Sequence, residues 1–156
     1  MKVKLILVGK TSERYIEDGF NDFQNRLKHY CDFELIVIKD VSGRAKMSVD
    51  ELKNREGKLI LNEVKEGVTF LLDEKGKEVS SVGFSELLDQ QIMMNSKSIN
   101  FIIGGAYGFS DEVYQQKFRK LSWSKMTFTH QMIRLLFIEQ LYRAFTILKG
   151  EKYHHV

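Results

Sequence analysis

Five side chains near the C-terminus could bind a phosphate or a base edge and move a proton. They are His130, Arg134, Arg143, Tyr153 and His154. An arginine offers a planar fork of donors for a phosphate or a base, a histidine exchanges a proton near neutral pH, and a tyrosine can stack on a base. Structural uses are equally open, with His130 as a helix cap, the arginines in solvent and the last two residues in a frayed tail.

Three other segments could form a binding pocket, because each one follows a predicted strand. Ligands of open α/β sheets bind beyond the carboxyl ends of the strands. The segments are residues 72–77, the glycine-rich residues 104–108, and residues 122–130. The last of them combines an indole, a thioether and small hydroxyls, which suits a flat adenine ring held between apolar groups. In the competing interpretation, the glycines form an ordinary turn and Trp123, Met126 and Phe128 belong to the core.

Several other chemistries have no matching motif in this sequence. The glycine-rich segment does not spell G-x-G-x-x-G, and neither a Walker phosphate loop nor a G-x-S-x-G elbow occurs. Cys31 is the only cysteine, and His154 and His155 form a doublet without the spacing of metal ligands. We therefore expect no metal and no internal disulfide.

The elements that must position these residues alternate along the chain. Apolar runs predict strands at residues 3–8, 33–38, 68–72 and 99–103, with a short fifth strand at 120–124. Helices are predicted to start after Thr11 or Ser12, at Ser48, at Ser81 or Ser85, and at Ser110, with a last helix over 130–148. Such alternation is typical of an α/β fold with a mostly parallel sheet flanked by helices, in one domain over residues 1–156.

The distribution of charge points to a phosphate-rich partner. Lys and Arg outnumber Asp and Glu eight to four among residues 101–156, whereas the first hundred residues carry one more acid than base. A basic C-terminal region fits nucleic acid, and an ordinary solvated surface is the alternative. No apolar stretch approaches 18 residues, so we expect no membrane span, and the lone thiol suits the reducing cytoplasm.

The last predicted helix carries more apolar surface than one side of a helix requires. Residues 135–138 are four consecutive apolar side chains, and successive residues point about 100° apart on a helix of about 3.6 residues per turn. A helix that is apolar on several sides must be covered on several sides. We therefore predict a homodimer, and the alternative is full burial within one chain.

Taken together and in order, these segments resemble one known family, the bacterial ribosomal RNA large subunit methyltransferase H family of the SPOUT class. The similarity extends over essentially the whole chain, starting at Val8-Gly9-Lys10. The later motifs are Leu72-Asp73-x-x-Gly76-Lys77, Phe101-Ile102-Ile103-Gly104-Gly105-Ala106-x-Gly108, Leu121-Ser122-x-Ser124-Lys125-Met126-Thr127-Phe128-x-His130-Gln131-Met132, Glu139-Gln140-x-Tyr142-Arg143-Ala144 and Gly150-Glu151-x-Tyr153-His154. Where the family often has Pro before the histidine, this chain has Thr129.

The resemblance implies a fold, a reaction and a set of site residues. Family members are α/β homodimers with a C-terminal trefoil knot, and they use S-adenosylmethionine to methylate N3 of a pseudouridine in a 23S rRNA stem-loop of the assembled ribosome. The implied cofactor contacts are Leu72, Gly104, Trp123, Ser124, Lys125, Met126, Thr127 and Phe128. The residues implied in catalysis or RNA binding are His130, Arg143, Tyr153 and His154. This would be a cytoplasmic enzyme that needs no metal.

The N3 proton must leave during such a reaction, and His130 and His154 are the leading candidates to accept it. Arg143 could stabilise charge on the base or hold a phosphate. Two other functions fit parts of the sequence. One is a non-catalytic ribosome-binding protein with a degenerate pocket, and the other is a nucleotide-binding hydrolase, which the missing phosphate loop disfavours.

Overall fold

A computed structural model describes residues 1–155. Strands and helices alternate as the sequence predicts. The strands are β1 (Lys2–Val8), β2 (Asp32–Ile38), β3 (Val68–Glu78), β4 (Ser98–Ile103) and β5 (Arg119–Ser122). The helices are α1 (Arg14–Leu27), α2 (Val49–Glu63), α3 (Ser81–Met93), α4 (Asp111–Tyr114) and α5 (Met132–Leu148), with a single 3₁₀ turn at Arg44–Lys46.

All strand pairs are parallel, and the strand order is β2-β1-β4-β3-β5. The sheet is covered on both faces, which explains the continuous apolar runs of its central strands. On one face α5 packs between α1 and α3, over an aromatic core that includes Phe70, Phe84, Phe101 and Phe137. On the other face α2 and α4 cover a smaller aliphatic cluster. The predicted parallel α/β architecture is confirmed, and the C-terminal knot stays a prediction.

The predicted helix caps are right for α2 and α4 and wrong for α1. The Ser48 hydroxyl accepts a hydrogen bond from the Glu51 N–H, and the Ser110 hydroxyl accepts one from the Val113 N–H. Helix α1 has no side-chain cap, because it begins at Arg14 with Glu13 at the cap position, beyond Thr11 and Ser12. The Thr11 hydroxyl accepts from Arg134, and the Ser12 N–H donates to Gln131.

Strand β3 and helix α5 differ from prediction in ways that shape the candidate site. β3 does not end at Leu72 but continues to Glu78, and its register with β5 shifts between Leu72 and Lys77. Gly76 permits this because a Cβ there would lie 2.7 Å from the Leu121 nitrogen. Helix α5 begins at Met132 rather than at residue 130, and the Thr129 hydroxyl accepts from the Met132 N–H. The alternative use of His130 as the helix cap is therefore wrong.

Candidate active site

The three segments predicted to form a pocket do meet, beside the register shift in β3 and at the carboxyl ends of β4 and β5. They enclose a cleft of about 370 Å³, which is within the usual range for a small-molecule site. Leu72–Lys75 lie within β3 at its register shift, residues 103–109 lie at and after the end of β4, and most of residues 121–130 line the cleft from the end of β5 onward. Adjacent parallel strands bring their carboxyl ends to one edge, so residues about 50 positions apart in sequence become neighbours.

The glycine-rich turn after β4 is tight because two of its glycines pair with each other. The Gly108 N–H donates to the Gly105 carbonyl at 3.1 Å, and Gly108 adopts a positive φ of 83°. Gly104 is buried beneath Phe109, and a Cβ there would lie 3.1 Å from the aromatic ring. A Cβ on Gly105 would lie 2.8 Å from a carboxylate oxygen of Glu56, which is a buried side chain of α2. The turn therefore lets backbone approach the cleft closely.

The segment after β5 is folded by its own hydroxyls and tied to the end of β3. The Ser122 hydroxyl donates to the Ser124 carbonyl, and the Ser124 hydroxyl accepts from the Met126 N–H. The Thr127 hydroxyl donates to the Glu74 carboxylate at 2.6 Å and so joins two of the three segments. The cleft wall is thus fixed by specific polar contacts rather than by apolar packing alone.

The side chains of this segment divide between core and cleft. Trp123 is half-buried against Phe84 and Phe137, with ring centroids 5.0 and 5.8 Å away, and it also lines the cleft. Its indole N–H is buried without a hydrogen-bond partner. Met126 is 74% exposed and Phe128 38% exposed, so assigning both of them to the core is wrong.

Most of the residues implied in cofactor binding line this single cleft. Those that do are Leu72, Gly104, Trp123, Ser124, Met126, Thr127 and Phe128. Lys125 is exposed and is not among the lining residues. The role of each of these residues in cofactor binding stays a prediction.

His130 is the implied catalytic residue that the fold places in the cleft wall. Its ring is partly buried, and burial lowers its pKa from the ordinary value of 6.5. The positive charges of Arg134 and Arg44 lower this pKa further, while Asp40 opposes them. The imidazole is therefore uncharged at neutral pH and can accept a proton.

Arg134 is not a solvated surface arginine but a fully buried one. Its guanidinium donates to the carbonyls of Val8 and Gly9 at the end of β1, at 2.8 and 2.9 Å, and to the Thr11 hydroxyl. Its Nε donates to the His130 carbonyl at 3.0 Å. Burial lowers the pKa of Arg134 to about 10, which still leaves it charged near neutral pH. The side chain therefore fastens the start of α5 to the first strand.

The other implied catalytic residues form a separate cluster around Glu139. The Glu139 carboxylate accepts from Arg143 at 2.7 Å and from the Tyr153 hydroxyl at 3.0 Å. Arg143 also lies over the Tyr153 ring and contacts Nδ1 of His154 at 3.2 Å. None of these four residues lines the cleft. Along α5, Arg143 lies about 16 Å beyond Met132 at a rise of about 1.5 Å per residue.

Sequence reasoning missed three polar residues, two in the cleft and one in the cluster around Glu139. Tyr114 lines the cleft and donates a short hydrogen bond to Asp73, which together with burial raises its pKa. Lys53 reaches the cleft from α2. Glu139 organises the C-terminal cluster, and only its i,i+4 spacing from Arg143 could have indicated this. No sequence pattern marks Tyr114 or Lys53.

Metal-ligand clusters and membrane-spanning helices are both absent from residues 1–155. No group of three or more potential metal ligands occurs in this range. No helix there is long and apolar enough to cross a membrane.

Comparisons with known proteins place the chain in a family. Residues 1–154 match the family model described as "Predicted SPOUT methyltransferase". Proteins named ribosomal RNA large subunit methyltransferase H from Parabacteroides distasonis, Flavobacterium psychrophilum and Bacteroides thetaiotaomicron are 49%, 47% and 46% identical to it, each over 99% of both chains.

A solved structure supports the fold alone. It is described as that of a probable methylase family protein from Haemophilus influenzae, and it matches with a TM-score of 0.56 at 13% identity. The match covers 99% of this chain and 70% of that one. With the family model matching nearly the whole chain and full-length relatives close to half identical, the chain belongs to the SPOUT methyltransferases, in the family of ribosomal RNA large subunit methyltransferase H.

Proposed function

We propose that this protein transfers a methyl group from S-adenosylmethionine to N3 of a pseudouridine in a 23S rRNA stem-loop of the assembled ribosome. The observation that carries the proposal is the single cleft in which the three strand-end segments meet beside His130. The names of the relatives supply the rRNA substrate, and the basic C-terminal third fits a phosphate-rich partner. Because ribosomes are the substrate, we place the reaction in the cytoplasm.

The lining of the cleft fits S-adenosylmethionine in shape and chemistry. Leu72, Ile103 and Leu121 offer apolar walls for a flat ring, and Gly104 lets the backbone come close. The Trp123 ring adds an aromatic surface to the same wall. Asp73 and Glu74 place carboxylates in the wall, where they suit hydroxyls or an ammonium group. When bound, the cofactor supplies a methyl group on a positively charged sulfur, which is reactive without a metal.

The protein's own task is to place the base, exclude water and take up a proton. We propose His130 as the proton acceptor, because it is the candidate histidine that lies in the cleft wall and its lowered pKa keeps it uncharged. His154 lies in the Glu139 cluster, with Nδ1 engaged by Arg143. Within one chain it is therefore remote from the cleft.

The separation of the Glu139 cluster from the cleft supports a homodimer in which one subunit presents RNA to the other's cofactor. Arg143, Tyr153 and His154 are held together by mutual contacts, yet Arg143 lies well along α5 from the cleft of its own chain and the other two residues follow the end of that helix. A second cavity of about 350 Å³ borders Trp123 on the side of α5 and is lined by Phe84, Leu136 and Gln140. The lining mixes apolar side chains with Ser80, Ser81 and Gln140, and a cavity of this kind on the helix fits coverage by a second copy.

The test is a methylation assay that compares free 23S rRNA, isolated large subunits and whole ribosomes, with the product base located by mass spectrometry. We expect N3-methylpseudouridine on whole ribosomes, and saturable S-adenosylmethionine binding by the protein alone. A ribosome-binding protein without activity would bind ribosomes but transfer no methyl group. Methylation of free rRNA at equal rate would contradict the assembled ribosome as the substrate.

A further inference from the structure

The guanidinium of Arg134 is a buried positive charge without an acidic partner. Its side chain is fully buried, and among residues 1–155 it forms no ion pair. All four acceptors that it contacts are neutral, namely the carbonyls of Val8, Gly9 and His130 and the hydroxyl of Thr11. Burying a charge in this way is costly unless hydrogen bonds compensate for lost water, so a role beyond packing is worth seeking.

Arg134 acts on His130 in two ways. Its bond to the His130 carbonyl fixes the backbone two residues before α5, and its bonds to Val8 and Gly9 anchor that backbone to the end of β1. Its charge also lies close enough to disfavour a second positive charge on the imidazole. Loss of Arg134 should therefore affect both the position and the protonation of His130.

Other charged groups surround His130 and must be separated from this effect. Arg44, in the 3₁₀ turn, also disfavours protonation, whereas Asp40, after β2, favours it. These two side chains pair with each other at 3.0 Å and act on His130 with opposite signs. The other charged side chains of the cleft are Lys53, Asp73, Glu74 and Lys75.

We propose that Arg134 is a positioning residue for methyl transfer, which holds the His130 backbone so that the ring lies in the cleft wall, and whose charge adds to burial in disfavouring a charged ring before it receives the proton of N3. The proposal rests on the proposed function, in which His130 is that acceptor. As the N3–H bond breaks, its electron pair stays on nitrogen and forms the bond to the methyl carbon. The carbon–sulfur pair leaves with the sulfur, and the neutral imidazole takes the proton and later releases it to water.

The first test measures the titration of His130 by NMR, which requires no methyl transfer. The ring resonance is assigned with His130→Gln and followed against pH in wild type, Arg134→Gln and Arg134→Lys. We expect Arg134→Gln to shift the midpoint to higher pH and Arg134→Lys, which keeps the charge, to shift it less. Arg55→Gln removes an exposed guanidinium paired with Glu51 and should leave the titration unchanged. An unmoved midpoint in Arg134→Gln would overturn the electrostatic part of the proposal.

The second test measures single-turnover methylation of ribosomes against pH, together with S-adenosylmethionine affinity. For Arg134→Gln we expect the acid limb of the pH–rate profile to shift to higher pH, by the same amount as the NMR midpoint of His130. For Arg134→Lys we expect the maximal rate to fall by up to about 100-fold, since displacing a reacting group by about 1 Å can have an effect of this size. The affinity for S-adenosylmethionine should be unchanged. If Arg134→Gln does not fold, the lysine variant decides alone, and a wild-type rate and pH profile in it would overturn the proposal.

The two tests also separate this inference from the proposed function. If His130→Gln keeps the wild-type single-turnover rate, then His130 is not the proton acceptor and the proposed mechanism fails. The NMR titration would still report whether Arg134 controls the charge of His130. If His130→Gln is inactive but Arg134→Gln alters neither titration nor rate, only the role given to Arg134 fails.

Discussion

At the scale of single residues, His130 connects the cleft to the last helix. It lies in the cleft wall, its carbonyl is bonded by Arg134, and it directly precedes the segment that starts α5. Substitution to Gln keeps a polar side chain of similar size but removes the proposed proton acceptor. We expect single-turnover methylation to fall by about 10²- to 10⁴-fold, the usual contribution of a general base.

The matched control for this variant is His29→Gln, since His29 is exposed on the loop after α1. Binding of S-adenosylmethionine, measured by calorimetry, should be unchanged in both variants. Loss of cofactor binding in His130→Gln would show that the histidine supports the pocket instead of the proton transfer.

The lowered pKa of His130 also predicts how stability depends on pH. Folding favours the neutral ring, so this contribution is present above the ordinary pKa of 6.5 and is lost as the pH falls. Wild type should therefore lose more free energy of unfolding than His130→Gln between pH 7 and pH 5, in urea titrations. Equal losses would mean that the ring is not held in its neutral form.

Gly104 tests the cofactor pocket at the same scale. An alanine Cβ there would lie 3.1 Å from the Phe109 ring, which must move at the floor of the cleft. We expect Gly104→Ala to weaken S-adenosylmethionine binding about tenfold or more, since overpacking costs about 1–3 kcal/mol. Gly83→Ala, on helix α3 and outside the cleft, should bind as wild type does. Normal binding by Gly104→Ala would place the cofactor elsewhere.

At the scale of elements, sequence patterns were sufficient for the sheet and insufficient for the connections. Continuous apolar runs marked each central strand because both faces of the sheet are covered, and Ser48 and Ser110 marked helix starts through local hydrogen bonds. Contacts between distant segments left no local signal. Thr11 was therefore predicted to cap a helix, although its hydroxyl accepts a hydrogen bond from Arg134. Strand β3 was predicted to end before the register shift that Gly76 permits.

The candidate site shows the same division. Its three segments were predictable because parallel strands bring their carboxyl ends to one edge. The burial of Arg134 could not be predicted, because an arginine in the first turn of a helix is ordinarily solvated. The i,i+4 spacing could indicate the pairing of Glu139 with Arg143, but not that Tyr153 shares the same carboxylate away from the cleft.

The Ser48 cap gives a prediction for one element. Its hydroxyl satisfies the Glu51 N–H at the start of α2, the helix that packs beneath the glycine-rich turn. Ser48→Ala should lower the free energy of unfolding by about 1 kcal/mol in urea denaturation. Ser42→Ala, in the exposed loop before the 3₁₀ turn, should change it by less than about 0.5 kcal/mol. Equal effects would mean that the cap contributes nothing measurable.

At the scale of the whole molecule, the proposed sharing of work between subunits can be tested with mixed dimers. One subunit carries Gly104→Ala, and the other carries Tyr153→Phe with His154→Ala. Suppose that the cofactor site of one subunit works with the Glu139 cluster of the other. Each mixed dimer then contains about one intact site, made from the cofactor site of the second subunit and the Glu139 cluster of the first. Methylation of ribosomes by the co-expressed, doubly tagged mixture should exceed that of either parent.

The control for this experiment is a mixture in which both changes are on the same subunit, paired with wild type. Mixed dimers no more active than their parents would contradict catalysis across the interface. Sedimentation of the purified wild-type protein as a monomer at assay concentration would contradict the dimer itself.

The bonds from Arg134 to Val8 and Gly9 span about 125 positions of sequence and join the first strand to the last helix. During synthesis β1 is made long before α5, so these bonds can form only after Arg134 has emerged from the ribosome. Until then the Val8 and Gly9 carbonyls lack this donor, and the His130 backbone lacks its anchor to the sheet. The order in which the chain is made therefore places the closure of this corner of the fold among the late events of folding.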